Sequence, residues 1–157
     1  MGFKVEDQLN PEELMRICIE LALKAREKGN HPYGALLALD GRILLTAENS
    51  VNTDHDITCH AELNLVSLAT RQLDPGTLAK TTLFTSTEPC AMCAAAMFWA
   101  GIPSVVYGCA AETLGEMTGG SFVIPCRHIF SFGNREVNVA GPILPEESAA
   151  VHDGFWS

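Results

Sequence analysis

The chain's densest chemistry lies in Glu88-Pro89-Cys90-Ala91-Met92-Cys93. Two thiols stand three positions apart, after a proline and before an alanine-rich run. Proline is tolerated in the first turn of a helix, where its missing N–H would have no partner anyway. Residues at i and i+3 share a helical face. That face lies at the positive end of the helix dipole, which favours thiolates. Such a pair can hold a divalent metal, and a partner stands upstream in His60-Ala61-Glu62. His60, Cys90 and Cys93 give three protein ligands with no fourth candidate, the composition of a catalytic Zn²⁺ site that keeps one position for water. Glu62 stands two residues past the histidine, on the same helix start. A carboxylate there can carry protons from water to a ring nitrogen and then to a leaving amine. The set suits hydrolysis at an amidine-like carbon with loss of ammonia. Cys-x-x-Cys alone is a weak signal, shared with redox pairs and structural zinc half-sites. Joined to His-x-Glu, with a proline before the first cysteine and residues 63–88 between the halves, it is specific.

The elements that must position these groups can be read in order. Asn10-Pro11-Glu12-Glu13 opens a helix, with Asn10 as cap and Pro11 in the first position. Leu14, Ile17, Cys18, Leu21 and Ala25 mark its apolar face, and Gly29 ends it. Gly34 to Leu39 is a short apolar strand. Asp40-Gly41 is a two-residue hairpin signal, and Arg42 to Ala47 is the returning strand. Asn49 to Asp56 reads as polar loop. A second helix is expected over residues 58–71 with Leu63, Val66 and Leu68 inward, and Asp74-Pro75-Gly76 as a turn. Thr81 to Ser86 is a third strand, Cys90 to Ala100 a third helix, and Ser104 to Gly108 a fourth strand. Residues 112–121, with Gly115, Gly119 and Gly120, read as a mobile loop. Residues 135–140 form a fifth strand, and Pro145 begins a last helix running toward Phe155-Trp156. The alternation from residue 81 onward calls for parallel strands with right-handed crossovers. The whole order predicts an α/β chain, a three-layer α/β/α sandwich around a mixed sheet.

Length and composition narrow the class. A chain of 157 residues suits one domain, 1–157, with a sizeable core. No run approaches the ~18 apolar residues of a membrane span. The segment Met1 to Asp7 lacks a signal peptide's apolar core. The expectation is a cytoplasmic protein with no membrane partner. Six cysteines in such a setting are expected reduced. Cys18, Cys59, Cys109 and Cys126 read as packing thiols. Formal net charge is −9, and the bases between Arg16 and Lys28 interleave with acids along a helix face. Nucleic-acid binding requires clustered positive charge, so a small-molecule substrate is expected and nucleic acid is not. His31, His55, His128 and His152 lack ligand spacing and read as structural or surface residues.

Tyr33-Gly34-Ala35, Asn49, Cys59-His60-Ala61-Glu62, Glu88-Pro89-Cys90-Ala91-Met92-Cys93 and Ala94 to Ala100 together resemble the cytidine deaminase-like superfamily, in its guanine deaminase and tRNA adenosine deaminase branch. The resemblance runs from about Tyr33 to Tyr107. It implies a five-stranded sheet in order 2-1-3-4-5, one zinc per chain and a homodimer. It implies that Asn49 hydrogen-bonds a base, that the Ala61 N–H faces the substrate, and that Tyr33 and Trp99 belong to the substrate site. Phe155-Trp156 is similar to a tail that closes the pocket, of its own chain or of a partner. The implied activity is deamination of a nucleobase, nucleoside or related amino-heterocycle, with a guanine-type purine first. Deamination of adenosine in tRNA or of cytosine is the alternative, and a zinc-stabilised binding domain without turnover is the alternative outside enzymes. Two features depart from the branch. Gly119-Gly120 stands before Ser121-Phe122 where bacterial guanine deaminases carry aspartates, and the basic tail of the tRNA enzymes is missing.

Overall fold

The computed structural model describes residues 7–156. The N-terminal stretch read above for a signal segment falls largely outside the described residues. Helix α1, Pro11–Glu27, starts as expected: Asn10 caps it by accepting the Glu13 N–H at 2.9 Å. Strands β1, Gly34–Leu39, and β2, Arg42–Glu48, form the hairpin. Asp40 and Gly41 both take positive φ, 51° and 77°, as a two-residue hairpin turn requires. Gly34 has a different reason to be glycine. A Cβ there would stand 2.4 Å from the Cys18 carbonyl oxygen, so α1 packs directly on the start of β1.

Strands β3, Thr82–Thr87, β4, Ser104–Cys109, and β5, Asn138–Ala140, complete one sheet in the order β2-β1-β3-β4-β5. β1 is antiparallel to β2 and β3, whereas β3, β4 and β5 run parallel. Period-two alternation divides the strands between two cores. Ala35, Leu37, Leu83 and Val105 point to one face, under α3, Ala61–Gln72, and α5, Ala91–Ala100. Leu36, Ala38, Phe84 and Val106 point to the other, against α1. Each fully buried leucine or valine contributes about 1.5–3 kcal/mol. The result is the expected three-layer α/β/α sandwich.

Several expected boundaries need correction. The loop after β2 contains a one-turn helix, α2, Val51–Asp54, and Asp74-Pro75-Gly76 opens another, α4, Pro75–Leu78, rather than a plain turn. α3 begins at Ala61, not near Thr58, because His60 occupies the capping position. Its inward residues are Leu65, Val66 and Ala69, with Leu63 and Leu68 only half-buried. Pro89 precedes the cap of α5, which is Cys90, instead of lying in the first turn. Residues expected as a mobile loop form helix α6, Ala111–Thr118, and a further helix, α7, Cys126–Phe130, follows. β5 is shorter than expected. The last helix, α8, is Pro145–Ala150, and turns carry the chain on to Phe155 and Trp156.

Candidate active site

His60 and Cys90 are the capping residues of α3 and α5, so both helices aim their positive ends at one point. The His60 Nδ1 lies 3.5 Å from the Cys90 Sγ and 3.6 Å from the Cys93 Sγ. The three ligand atoms all fall within 4.8 Å of one another. Tetrahedral zinc with Zn–N of about 2.0–2.1 Å and Zn–S of about 2.3 Å sets N···S at about 3.5 Å. The two observed N···S spacings therefore match those of one tetrahedral zinc ion. When bound, zinc lowers the pKa of a coordinated water to about 7.

The electrostatics agree with a charged cluster. Cys90 is pulled down to about 4, first by the thiol of Cys93 bonding to its sulfur and then by His60. Cys93 is pushed up by that same bond and by burial. Glu62 is 4% exposed. Burial, and then the Cys90 thiolate, raise it to about 7. A carboxylate poised there can both take and return a proton near neutral pH.

His31, Tyr33, His60, Glu62, Glu88, Cys90 and Leu114 line a cavity of about 100 Å³ beside this cluster. Asn49 and Ala61 are buried. Asn49 accepts the Val51 N–H at 3.1 Å through Oδ1, while its buried Nδ2 has no partner among the described residues. A buried amide donor without a partner is costly, and a bound ligand would relieve it. Ala61, as the first residue of α3, has an N–H with no acceptor inside the helix.

The tail reaches the same region of its own chain. The Trp156 ring lies 5.1 Å from the His31 ring and 6.2 Å from that of Tyr33, and Phe155 lies 5.8 Å from His31. His152, 2% exposed, fastens this tail. The Trp156 Nε1–H donates to its Nδ1 at 3.1 Å, which leaves the proton on Nε2 to donate to the Thr87 Oγ1 at 3.0 Å.

Trp99 is not brought to this cavity. It is 84% exposed at the far end of α5, where it packs against Phe98 and lines a surface groove with Phe132. Conversely, His31, read as structural or surface, lines the cavity, whereas His152, buried and holding the tail, is structural as read. Glu88, quoted above only as part of the cysteine motif, and Leu114, which has no motif to announce it, also line the cavity. Of the four cysteines read as packing thiols, Cys18, Cys109 and Cys126 are buried and Cys59 is half-buried, and all six cysteines are unpaired.

Residues 9–109 match the family model described as the cytidine and deoxycytidylate deaminase zinc-binding region. The chain belongs to this family. The deaminase is 36% identical over 148 residues to a "Probable cytosine deaminase" of Schizosaccharomyces pombe, covering 90% of each chain. It is 32% identical over 145 residues to a tRNA-specific adenosine deaminase of Bacillus subtilis, covering 92% of this chain and 88% of the relative. Among solved structures, a guanine deaminase from Nitrosomonas europaea superposes with a TM-score of 0.78 at 25% identity, covering 91% of this chain and 82% of that one. The expected fold and sheet order are those of these structural neighbours. The deaminase is a zinc-dependent hydrolytic enzyme, and its relatives act on cytosine, guanine or adenosine in tRNA.

Proposed function

We propose that the deaminase releases ammonia from a free, single-ring amino-heterocycle of the cytosine type. The observation that carries the choice of ring is the match to the cytosine-type relative, 36% identical over 148 residues and covering 90% of each chain. The cavity of about 100 Å³ is below the roughly 150 Å³ that holds a benzene ring, so it is nearer the size of one ring than of two. His60, Cys90 and Cys93 hold zinc. Glu62 takes a proton from water, passes it to the ring nitrogen next to the reacting carbon, and then serves the departing amine. The Asn49 Nδ2 and the Ala61 N–H donate to the heterocycle. Tyr33, His31 and the docked Trp156 and Phe155 exclude water.

A guanine-type purine is the second reading, favoured by the structural neighbours and by a cleft of about 160 Å³ that shares Glu88, Cys90 and Leu114 with the cavity. The purine's second ring would lie there. The net charge of −9 and the aromatic tail packed against His31 and Tyr33 support a small molecule over tRNA. Six unpaired cysteines support a reducing, cytoplasmic setting. We also place a second copy on the Trp99–Phe132 face, making a homodimer. Ammonia release from cytosine, guanine, their nucleosides and a tRNA anticodon stem tests the substrate. A kcat/KM for cytosine above that for guanine supports the reading. The reverse order selects the purine, and release from tRNA alone overturns both.

A further inference from the structure

We infer that Glu88 is a positioning residue, whose carboxylate ties the wall of the substrate cavity to the segment carrying Cys90. Three observations converge on it. Its Oε1 accepts the Ala111 N–H at 2.9 Å, and its Oε2 accepts the Cys126 N–H at 2.7 Å. Its own N–H donates to the Cys109 carbonyl at 2.7 Å. It is 9% exposed, so water offers those amides little alternative.

Ala111 and Cys126 are the first residues of α6 and α7. The residues at the capping positions, Ala110 and Pro125, have no side chain able to accept a hydrogen bond, and neither helix is capped from its own segment. One carboxylate from the end of β3 supplies both. Orphan amides at a helix start need an acceptor, and a charged one gives the stronger bond. α6 in turn carries Leu114, which stands in the cavity wall. Cys90 follows Glu88 by two residues. The distance between the metal cluster and the Leu114 wall is therefore set through a single side chain.

Glu88 borders the cavity too, but both its carboxylate oxygens are taken by backbone amides, so in this scheme it touches no reacting atom and acts through Leu114. The kinetic test rests on the deaminase accepting one of the heterocycles above, whereas amide exchange tests the tie itself. Two variants approach it from opposite ends. Glu88→Gln keeps one acceptor oxygen but turns an NH₂ toward the other amide. Ala111→Pro removes one donor at a first-turn position where proline is tolerated, and Ala110, at ψ 149°, already has the backbone a following proline demands.

Both variants of the zinc-loaded full chain should raise KM about tenfold or more, the factor that corresponds to losing a hydrogen bond to a charged group. Zinc content should stay at one per chain and kcat should change much less than KM. Amide exchange across residues 111–130 should accelerate while the β1 and β3 amides stay protected. A lowered melting temperature with unchanged KM and unchanged exchange would reduce Glu88 to a packing residue. Zinc lost in proportion to activity would assign it to the metal site instead, and either result overturns the inference. Should no heterocycle yield ammonia even with the wild type, the substrate reading fails and the exchange data alone decide for or against the tie.

Discussion

Glu62 is a carboxylate kept from solvent beside a metal cluster, and its raised pKa of about 7 follows from burial before anything else. Glu62→Gln should lower ammonia release by about 10²–10⁴-fold, the usual worth of a positioned acid–base group. Zinc measured by atomic absorption should remain at one per chain, and metal loss in step with activity would make Glu62 a ligand. Asn49 permits a second dissection. Asn49→Asp keeps an oxygen to accept the Val51 N–H and replaces the unpartnered Nδ2 donor with an acceptor. KM should rise about tenfold or more, as expected for a lost substrate hydrogen bond, and melting temperature should fall as well, because the new carboxylate is buried. The metal set and Glu62 were legible in the sequence because they sit at fixed short spacings on two helix starts. The places of His31 and Leu114 in the cavity wall, and the part played by Glu88 within the motif, were not. His31 comes from the loop before β1, Glu88 from the end of β3 and Leu114 from α6, and tertiary packing alone brings their side chains together.

At the scale of elements, the same physics explains what the residues did and did not disclose. α1 carries its own cap, Asn10, and was readable; α6 borrows its cap from Glu88 and contains Gly115, which costs about 1 kcal/mol in a helix. Local signals therefore pointed to a loop. The tail is a second borrowed arrangement, held by the neutral ring of buried His152, whose pKa burial lowers to about 4. The unfolded chain binds this proton below about 6.5, while the folded chain refuses it until about 4. Between those values the unfolded state holds more protons, so stability rises with pH and is lost on acidification through that window. The slope from this one group is up to about 1.4 kcal/mol per pH unit. His152→Gln should flatten the dependence of melting temperature on pH between those limits. An unchanged slope would remove His152 from the account. Deleting Phe155 and Trp156 should cut turnover more than it lowers melting temperature, since the tail's rings lie against His31 and Tyr33 at the cavity. A fall in melting temperature alone would make the tail packing.

For the whole molecule, the topology was readable because one arithmetic runs through it. A hairpin must be antiparallel, and strands separated by helices pair in parallel with right-handed crossovers. What a single chain's pattern does not display is the face proposed above for a second copy. Trp99 and Phe132 are 84% and 81% exposed and, with Phe98 and Ile129, line an apolar groove of about 380 Å³. Two large aromatics so exposed on adjoining elements are expensive to leave in water. They lie away from the cavity, so any substrate contact by Trp99 would be made in a neighbouring copy. Among the described residues no helix is long and apolar enough to cross a membrane, which leaves the groove without a lipid-spanning explanation. Light scattering should give twice the 16.9 kDa chain mass. Phe132→Glu should halve that mass, because a charge buried in an apolar interface has no partner. Trp99→Glu should do the same. If Trp99 reaches a neighbour's substrate, a Trp99→Ala chain mixed with a chain disabled at Glu62 will regain turnover, because the disabled chain supplies its Trp99 to the cavity whose Glu62 is intact. A wild type that remains monomeric at high concentration would remove the dimer and leave Trp99 with no part in catalysis.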